Sequence, residues 1–502
     1  MDCGTSGLRT VVLDTDGRLL AAARRPYPTQ VGREGKAEQD PDDWWDALGA
    51  TVRQVLSDPA VARRRLLAIG VGGQMHGLVV LDAVGQPVRP AIVWSDTRSA
   101  GVCARWRKQF GDAAFSALAG LPIATGFLAS SLAWLRAAEP ERFARIRTVL
   151  PPKDELRRRL TGRTATDPSD AGGTLLFDVQ AERWSRELLR WTGLSPAVLP
   201  PVLPSTSIGG TVTEAAASAS GLPAGTPVVV GGADQPLSAL ALGLDDGLAA
   251  VSIGTGGTVL LPARASARPP ASPAVHTLCH VLPGRRLRMG AILAAGGAFE
   301  WLRSTLSTPT GHPAAADDLD RAAGDVAPGA DGLLFLPHLA GERTPLLDPD
   351  RSGAFLGLRT EHGLPHLVRA VEEGVVFALR AALEAALDGA PPPPQVLLTG
   401  GGSRGETWPR IVADVLQVPV TVSSTGDHSA IGAAMVAAIA AGLIPGRRPP
   451  RDWAHRHLDA VRRIEVRPAQ AVLYDRLFAL YQRADDAVAE TAHALRQLRR
   501  ER

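Results

Sequence analysis

The chain has 502 residues, too many for one ordinary hydrophobic core, so two or three domains are predicted. An apolar fraction of 45% and a formal net charge of +3 are typical of a globular protein in water. The basic residues are almost all arginines with acids nearby, and no basic stripe with interleaved aromatics is present, which excludes a dedicated nucleic-acid surface.

The cysteines and the apolar runs point to the cytoplasm. Cys3, Cys103 and Cys279 lie far apart without metal-ligand spacing, which argues against a disulfide framework and a structural zinc site. The most apolar helical run, residues 430–443, is shorter than the roughly 20 residues that span a bilayer. The acidic, glycine-rich start lacks the pattern of a signal peptide. We therefore expect a cytoplasmic protein that binds neither nucleic acid nor membrane.

The first elements are predicted to be a loop, a hairpin and a helix. Residues 4–7 form the loop, and residues 8–13 and 18–20 form the strands of the hairpin. A helix follows with Asp40 as its N-cap and Pro41 as its first residue. Its predicted buried face is formed by Trp45, Leu48, Val52 and Leu56.

The rest of the first half alternates strands with a long helical stretch. Strands are predicted at residues 66–71, 78–81 and 228–230. Residues 102–195 are predicted to be mainly helical, with a polar loop at 161–174.

A second unit begins near residue 245. Its predicted elements are strands 249–253, 258–261, 396–399 and 418–422, helices 365–387 and 429–443, and a surface helix from residue 468. Residues 2–7 (DCGTSG) and 252–257 (SIGTGG) match at the first glycine, the threonine after it and the last glycine. Each segment precedes a β-like run. This repeat predicts duplicated α/β domains that face each other across a cleft. Only the first copy carries an acid, Asp2.

Three glycine-rich turns are candidates for phosphate binding: residues 4–7, 254–257 and 400–402. Glycine lets backbone N–H groups approach a phosphate closely, and Thr or Ser hydroxyls add donors. No G-x-x-x-x-G-K-[ST] motif and no G-x-G-x-x-G between a strand and a helix occurs, which disfavours P-loop and dinucleotide sites.

Asp234 follows the predicted strand 228–230, where ligands bind in open α/β sheets. It is a candidate general base for a hydroxyl that attacks a γ-phosphorus. An N-cap for a helix starting at Pro236 explains the same residue, and the local sequence leaves both interpretations open.

Other polar residues also allow two interpretations. Asp2 is placed to face a Mg²⁺ ion that bridges ATP phosphates, or it is a frayed terminal residue. His76 lies at a strand end, which favours a ligand-facing role over a structural one. Lys153 with Asp154, and the segment 167–170, are explained by capping and turn formation.

These segments, taken in order, resemble the FGGY carbohydrate kinases along nearly the whole chain. The matching segments are residues 2–7, 38–41, 73–77, 90–96, 152–154, 166–171, 231–234, 252–255, 341–345 and 400–404. The resemblance implies two actin-like, ribonuclease-H-like α/β domains flanking a nucleotide and sugar cleft. We expect an amino-terminal domain at 1–243 with the sugar site and the catalytic Asp, a carboxy-terminal domain at 244–455 with the ATP site, and a helical tail at 456–502.

The resemblance also implies the site residues, with ATP and Mg²⁺ as cofactors. Asp234 is the expected catalytic base, and Asp2 is the second catalytic acid, facing the metal through water. The expected sugar-binding residues are Met75, His76, Asp234 and Gln235. The expected ATP-binding residues are Gly4, Thr5, Ser6, Gly254, Thr255, Gly401, Gly402 and Ser403.

The implied activity is ATP-dependent phosphorylation of a ketopentose, D-xylulose above others, because Met75-His76 follows Gln74 where glycerol kinases of the family carry Arg-Glu. The alternatives are a kinase for another ketose or polyol, and a catalytically impaired actin-fold sensor of sugar or nucleotide. A ribokinase-like kinase is disfavoured because its Gly-Ala-Gly-Asp motif is incomplete at residues 232–234. The sequence does not decide between a monomer and a homodimer.

Three departures from the family pattern bear on these expectations. Met1 stands where the family has several apolar residues, so either translation starts upstream or the first strand is weakened. Gln235 replaces the usual Asn beside the base. Ser95 and Thr97 replace the usual Asn and Gly around Asp96.

Overall fold

A computed structural model describes residues 1–244, 247–306, 314–423, 426–445 and 460–500. Two mixed β-sheets organise these residues, one in each half of the chain. The five-stranded sheet has the order Gly232–Ala233, Gly72–Gly73, Asp2–Gly4, Gly7–Leu13, Leu19–Pro26. The seven-stranded sheet has the order His276–Cys279, Arg285–Ile292, Gly257–Arg264, Leu248–Ile253, Gln395–Thr399, Val420–Ser423, Ala460–Ile464.

The two sheets share one topology. In the first, Asp2–Gly4 pairs antiparallel with Gly7–Leu13 and parallel with Gly72–Gly73. In the second, Leu248–Ile253 pairs antiparallel with Gly257–Arg264 and parallel with Gln395–Thr399. The repeat seen between residues 2–7 and 252–257 is thus a repeat of the central strand and its turn, and the predicted duplicated α/β fold is confirmed.

Helices and short strands complete the two halves. The helices are Pro41–Leu56, Ala100–Phe110, Asp112–Ala119, Leu128–Ala138, Pro140–Arg145, Pro152–Thr161, Pro168–Ala171, Arg186–Thr192, Glu214–Ser220, Asp234–Ala241, Gly296–Thr305, Ala316–Gly324, Leu364–Leu387, Thr407–Leu416, His428–Ala440 and Pro468–Arg500. Short 3₁₀ helices are Arg33–Gly35, Gly172–Thr174, Pro196–Val198, Ala330–Gly332 and Gly401–Ser403. Smaller sheets contain Gln30–Val31, Ala37–Gln39, Val79–Leu81, Ala91–Ile92, Thr148–Leu150, Phe177–Asp178, Arg183–Trp184, Ile208–Thr211, Pro227–Val229, Leu334–Leu336 and Ala354–Leu356.

The helix Pro41–Leu56 starts where the sequence predicts. The side chain of Asp40 accepts a hydrogen bond from the backbone N–H of Asp42, and Pro41 needs no such partner. The predicted face is correct at Leu48 and Val52, but Trp45 and Leu56 are only half-buried, and their neighbours Trp44 and Val55 are buried instead. The indole N–H of Trp44 donates to Gln39 Oε1, and this inward bond fixes the rotation of the helix.

The first strand is short but not frayed. Asp2–Gly4 is paired on both sides, and the terminal ammonium of Met1 donates to Gly70 O at 2.9 Å. The predicted strand 66–71 is wrong, since only Gly72–Gly73 pairs as a strand and Ile69 makes one bridge to Val228. Residues 66–70 instead line a cavity of about 420 Å³.

Two further expectations need correction. The predicted loop 161–174 contains the helix Pro168–Ala171 and the 3₁₀ helix Gly172–Thr174. The terminal helix Pro468–Arg500 is not only a surface element, because Tyr474, Phe478 and Tyr481 are buried in the core of the second sheet.

One helix from each half joins the two sheets. Asp234–Ala241 packs along His428–Ala440, and a Cβ atom added at Gly432 would lie 2.0 Å from Leu237 O. The helix axes therefore approach as closely as backbones allow, which fixes the strand ends of both sheets relative to each other. No helix within the described ranges has the length and apolar composition needed to cross a bilayer.

Candidate active site

The carboxyl ends of three parallel strands meet at one edge of the first sheet. Asp2–Gly4 and Gly232–Ala233 flank Gly72–Gly73, with Asp2 and Gly232 both in register with Gly72. Because ligands bind beyond the carboxyl ends of such strands, this edge is the candidate site. It brings together the turn after Gly4, the segment 74–76 and Asp234.

Asp234 is the first residue of the helix Asp234–Ala241 and is partly exposed. The N-cap position belongs to Ala233, so the interpretation of Asp234 as an N-cap is wrong. Its Oδ1 accepts a hydrogen bond from the adjacent N–H of Gln235 at 2.7 Å. Burial of the carboxyl and the nearby charge of Asp2 raise the pKa of Asp234 to about 7. A carboxyl group that titrates near neutrality suits a general base.

Asp2 is buried between the two halves of the chain. Its Oδ1 accepts a hydrogen bond from Ser429 Oγ at 2.9 Å, and Ser429 lies in the first turn of the helix His428–Ala440. Burial raises the pKa of Asp2. A Mg²⁺ ion bound with substrate phosphates needs only one or two protein carboxylates, and its preferred ligands are oxygens. Among the described residues, no group of three His, Cys or acidic side chains is placed to hold a metal ion by itself. A Mg²⁺ ion at Asp2 would therefore take most of its oxygen ligands from substrate and water.

The first glycine-rich turn is held by side chains from elsewhere in the first half. Gln39 Nε2 donates to Thr5 O at 2.7 Å, and Trp94 Nε1 donates to Thr5 Oγ1 at 2.8 Å. Ser6 is exposed and accepts from Arg24. A Cβ atom at Gly7 would lie 2.6 Å from a backbone carbonyl of the next strand, so glycine is required there. The turn is thus fixed in shape while Ser6 faces solvent.

His76 is a buried, neutral imidazole. Its ring stacks on Phe127 with centroids 3.9 Å apart, and its Nδ1 lies 2.8 Å from Gly173 O. Burial lowers the pKa of His76 to about 4. Because Nδ1 must carry the proton to bond a carbonyl, Nε2 is left as an acceptor. The ring of His276, from the second half, lies edge-on at 6.2 Å.

The other residues predicted to contact sugar are placed differently. Met75 is buried among apolar side chains of both halves, including Leu278 and Met289. Gln235 follows Asp234 on its helix and is partly exposed. Their placement alone does not show a contact with sugar, so the roles of Met75 and Gln235 stay predictions.

The second glycine-rich turn is clamped by a glycine pair that the sequence analysis did not single out. The N–H groups of Gly296 and Gly297 donate to Gly254 O and Thr255 O at 2.7 and 2.9 Å. A Cβ atom at Gly296 would lie 2.6 Å from Gly254 O, so a side chain there would displace the turn. Thr255 is exposed. Two adjacent glycines after a strand were the available signal for this clamp.

The third turn lies beside the second, because Gln395–Thr399 and Leu248–Ile253 are parallel neighbours. Gly401 is exposed and Gly402 is partly exposed. Ser403 is buried, and its hydroxyl donates to Gly400 O at 2.7 Å. The hydroxyl of Ser403 therefore shapes the turn, while the exposed backbone around Gly401 is open to a ligand.

Comparisons with known proteins agree with this architecture. Residues 1–241 match the model for the FGGY family of carbohydrate kinases, N-terminal domain, and residues 249–441 match the model for its C-terminal domain. The chain is 36% identical to the xylulose kinase of Escherichia coli (88% of this chain, 89% of that protein) and 37% identical to that of Streptomyces coelicolor (93% of each). The crystal structure of xylulose kinase from Rhodospirillum rubrum superposes with a TM-score of 0.87 at 32% identity, covering 98% of both chains. The chain therefore belongs to the FGGY family of carbohydrate kinases.

Proposed function

We propose that this chain transfers the γ-phosphoryl group of ATP to the terminal hydroxyl of D-xylulose. The observation that carries the proposal is the placement of Asp234, at the end of a parallel strand, partly exposed, with its pKa raised to about 7. The names of relatives that cover 88% or more of this chain support D-xylulose as the acceptor.

We assign the sugar and most of the ATP contacts to different halves of the chain. Residues 1–243 supply the sugar side: Asp234 as base, with Met75, His76 and Gln235 as sugar contacts. Residues 244–455 supply the ATP side, and 456–502 form the tail. The proposed ATP contacts are Gly4, Thr5 and Ser6 from the first turn, Gly254 and Thr255 from the second, and Gly401, Gly402 and Ser403 from the third.

The chemistry needs a base, a binding site for phosphate and exclusion of water. Asp234 accepts the proton of the sugar hydroxyl as its oxygen attacks the γ-phosphorus. Backbone N–H groups of the glycine-rich turns stabilise negative charge on the transferred group. A bound Mg²⁺ ion, with Asp2 facing it through water, would neutralise charge on the ATP phosphates. The neutral His76 orients the sugar by accepting a hydrogen bond from a sugar hydroxyl at Nε2.

The partners are small molecules, and we place the reaction in the cytoplasm. The helix pair 234–241 and 428–440 joins the halves within one chain, so both sheet edges of the proposed site come from a single chain. Sedimentation analysis would decide between a monomer and a homodimer.

A coupled ADP-release assay tests the proposal with a panel of D-xylulose, other ketopentoses, pentitols and glycerol. We expect sugar-dependent ADP release with the highest kcat/KM for D-xylulose. A higher kcat/KM for another ketose or a polyol would reassign the acceptor. Binding of sugar or ATP without any ADP release would favour the sensor.

A further inference from the structure

A buried ion cluster lies directly beneath the strand that ends at Asp234. Lys153 is fully buried, and its Nζ lies 2.7, 3.1 and 3.2 Å from carboxylate oxygens of Asp154, Asp167 and Asp170. Burial alone would lower the pKa of Lys153, but these carboxylates outweigh it and raise the pKa. Lys153 is therefore a cation locked in place, not a base or nucleophile.

The cluster reaches Asp234 through one serine. Ser169 Oγ donates to Asp167 Oδ2 at 2.5 Å and accepts from the backbone N–H of Ala233 at 2.9 Å. Gly232–Ala233 is the edge strand of its sheet, so this outward-facing N–H has no strand partner. Ala233 and Ser169 are both fully buried, which leaves Ser169 as the acceptor that satisfies that N–H.

The same segment also holds the proposed sugar side. Gly173, four residues after Ser169, accepts at its carbonyl from the ring of His76 at 2.8 Å. Lys153 Nζ also lies 3.4 Å from Val230 O, three residues before Ala233. Residues 167–173 therefore contact both Ala233, which precedes Asp234, and His76, and these residues are anchored by Lys153.

We propose that Ser169, held by Asp167 and Lys153, is a positioning residue that fixes Ala233 and so aims the carboxylate of Asp234 at the sugar hydroxyl. The inference rests on the proposed function, because it assigns Asp234 the role of base. Small displacements of a base lower kcat strongly while ground-state binding of the sugar changes little.

The chain provides a matched control. Ser205 Oγ donates to the same Oδ2 of Asp167 at 2.8 Å, and its hydroxyl makes no bond to Ala233. Ser169→Ala and Ser205→Ala each remove one buried hydroxyl from the same carboxylate. Only Ser169→Ala frees the N–H of Ala233.

Two measurements on the full chain test the proposal. Hydrogen exchange at the Ala233 amide should accelerate in S169A and stay slow in S205A. In the ADP-release assay, S169A should lose roughly ten- to hundredfold in kcat with a sugar KM within about threefold of wild type. S205A should keep kcat within about twofold, and Ser169→Cys, which retains size and a weak acceptor, should lie between.

Equal exchange in S169A and S205A would overturn the tether, and equal kcat in both would overturn the positioning role. If S169A does not fold, S169C carries the same comparison. If the wild type turns over no sugar, the proposed function fails, and the exchange measurement still decides whether Ser169 holds Ala233.

Discussion

The carboxyl groups of Asp2 and Asp234 flank the strand Gly72–Gly73, and the charge on Asp2 raises the pKa of Asp234. The two acids come from opposite ends of the first half, and the parallel register places them together. Asp2 is tied to Ser429 of the second half, whereas the carboxylate of Asp234 is bonded by backbone N–H groups at the start of its own helix. This unequal bonding leaves Asp234 as the acid that can take up a proton during catalysis.

Replacing Asp234 by Asn should remove activity and stabilise the fold at the same time. We expect kcat to fall by roughly a thousandfold or more because the base is lost. Above pH 7 the variant should melt higher, because a pKa raised from 3.8 to about 7 means the charged form is disfavoured in the folded state. The gain is at most about 4 kcal/mol. Asp46→Asn, on an exposed helix position, is the control and should change neither quantity. A lower melting temperature for Asp234→Asn would contradict the burial argument.

The pH dependence of kcat/KM should report Asp234 directly. The base must be deprotonated, and its pKa in the free protein is about 7. We therefore expect kcat/KM to rise about tenfold per pH unit below that value and to level off above it. The charged group near Asp234 is Asp2, and its negative charge contributes to the raised pKa of Asp234 and so to the pH at which kcat/KM levels off. A profile that is flat through pH 7 would remove Asp234 from the role of base.

Much of the architecture follows from local patterns. The capping of Pro41–Leu56 by Asp40 and the strand–turn repeats at 2–7 and 252–257 depend on residues close in sequence. Asp234 could be singled out because glycines precede it at a strand end.

Contacts between distant segments could not be predicted. Phe127 stacks on His76, Ser429 bonds Asp2, and Ser169 bonds Ala233 across 64 positions of sequence. None of these pairs has a periodicity or a spacing that one sequence reveals, because the fold alone brings them together. The strand predicted at 66–71 failed because pairing also depends on distant partners: the parallel partner of the first strand is Gly72–Gly73, and Ile69 makes a single bridge to Val228.

His338 should make the docking of the terminal helix pH-dependent. Its Nδ1 lies 2.8 Å from Glu342 Oε2, and its Nε2 lies 3.1 Å from Asp485 Oδ1 on the helix Pro468–Arg500, where Arg351 also contacts Asp485. Burial alone would lower the pKa of His338, but Asp485 and Glu342 outweigh it and raise the pKa to about 9.

A raised histidine pKa stabilises the fold below the unfolded value of 6.5, and this stabilisation is lost as the pH rises through about 9. The wild type should thus lose about 1–3 kcal/mol of unfolding free energy between these values, and His338→Gln should lose less. Urea titrations at several pH values measure both. Parallel pH curves for the two proteins would show that His338 is not the group responsible.

An apolar extension ahead of Met1 should stabilise the first sheet. Met1 lines the 420 Å³ cavity together with the apolar side chains of Val11, Leu13, Leu66 and Ile69. Burial also lowers the pKa of the terminal ammonium to about 6, so the charged amine is unfavourable there. A short Val/Ile extension should raise the unfolding free energy by about 1–3 kcal/mol, measured by thermal denaturation. A Gly/Ser extension of equal length is the control, and equal melting temperatures for the two would show that the cavity is not filled by a strand.

The contact between Gly432 and Leu237 should not tolerate a side chain. A Cβ atom at position 432 would lie 2.0 Å from the backbone O of Leu237, so Gly432→Ala must push apart the helices that begin near Asp234 and Ser429. Overpacking of this kind costs about 1–3 kcal/mol, and the displaced helices would also separate Asp2 from Ser429. We expect a lower melting temperature and a fall in kcat. Gly101→Ala is the matched helical control, because its added Cβ would meet only the end of the Arg105 side chain at 3.9 Å. If both variants keep wild-type stability and turnover, the helix pair does not fix the two sheet edges.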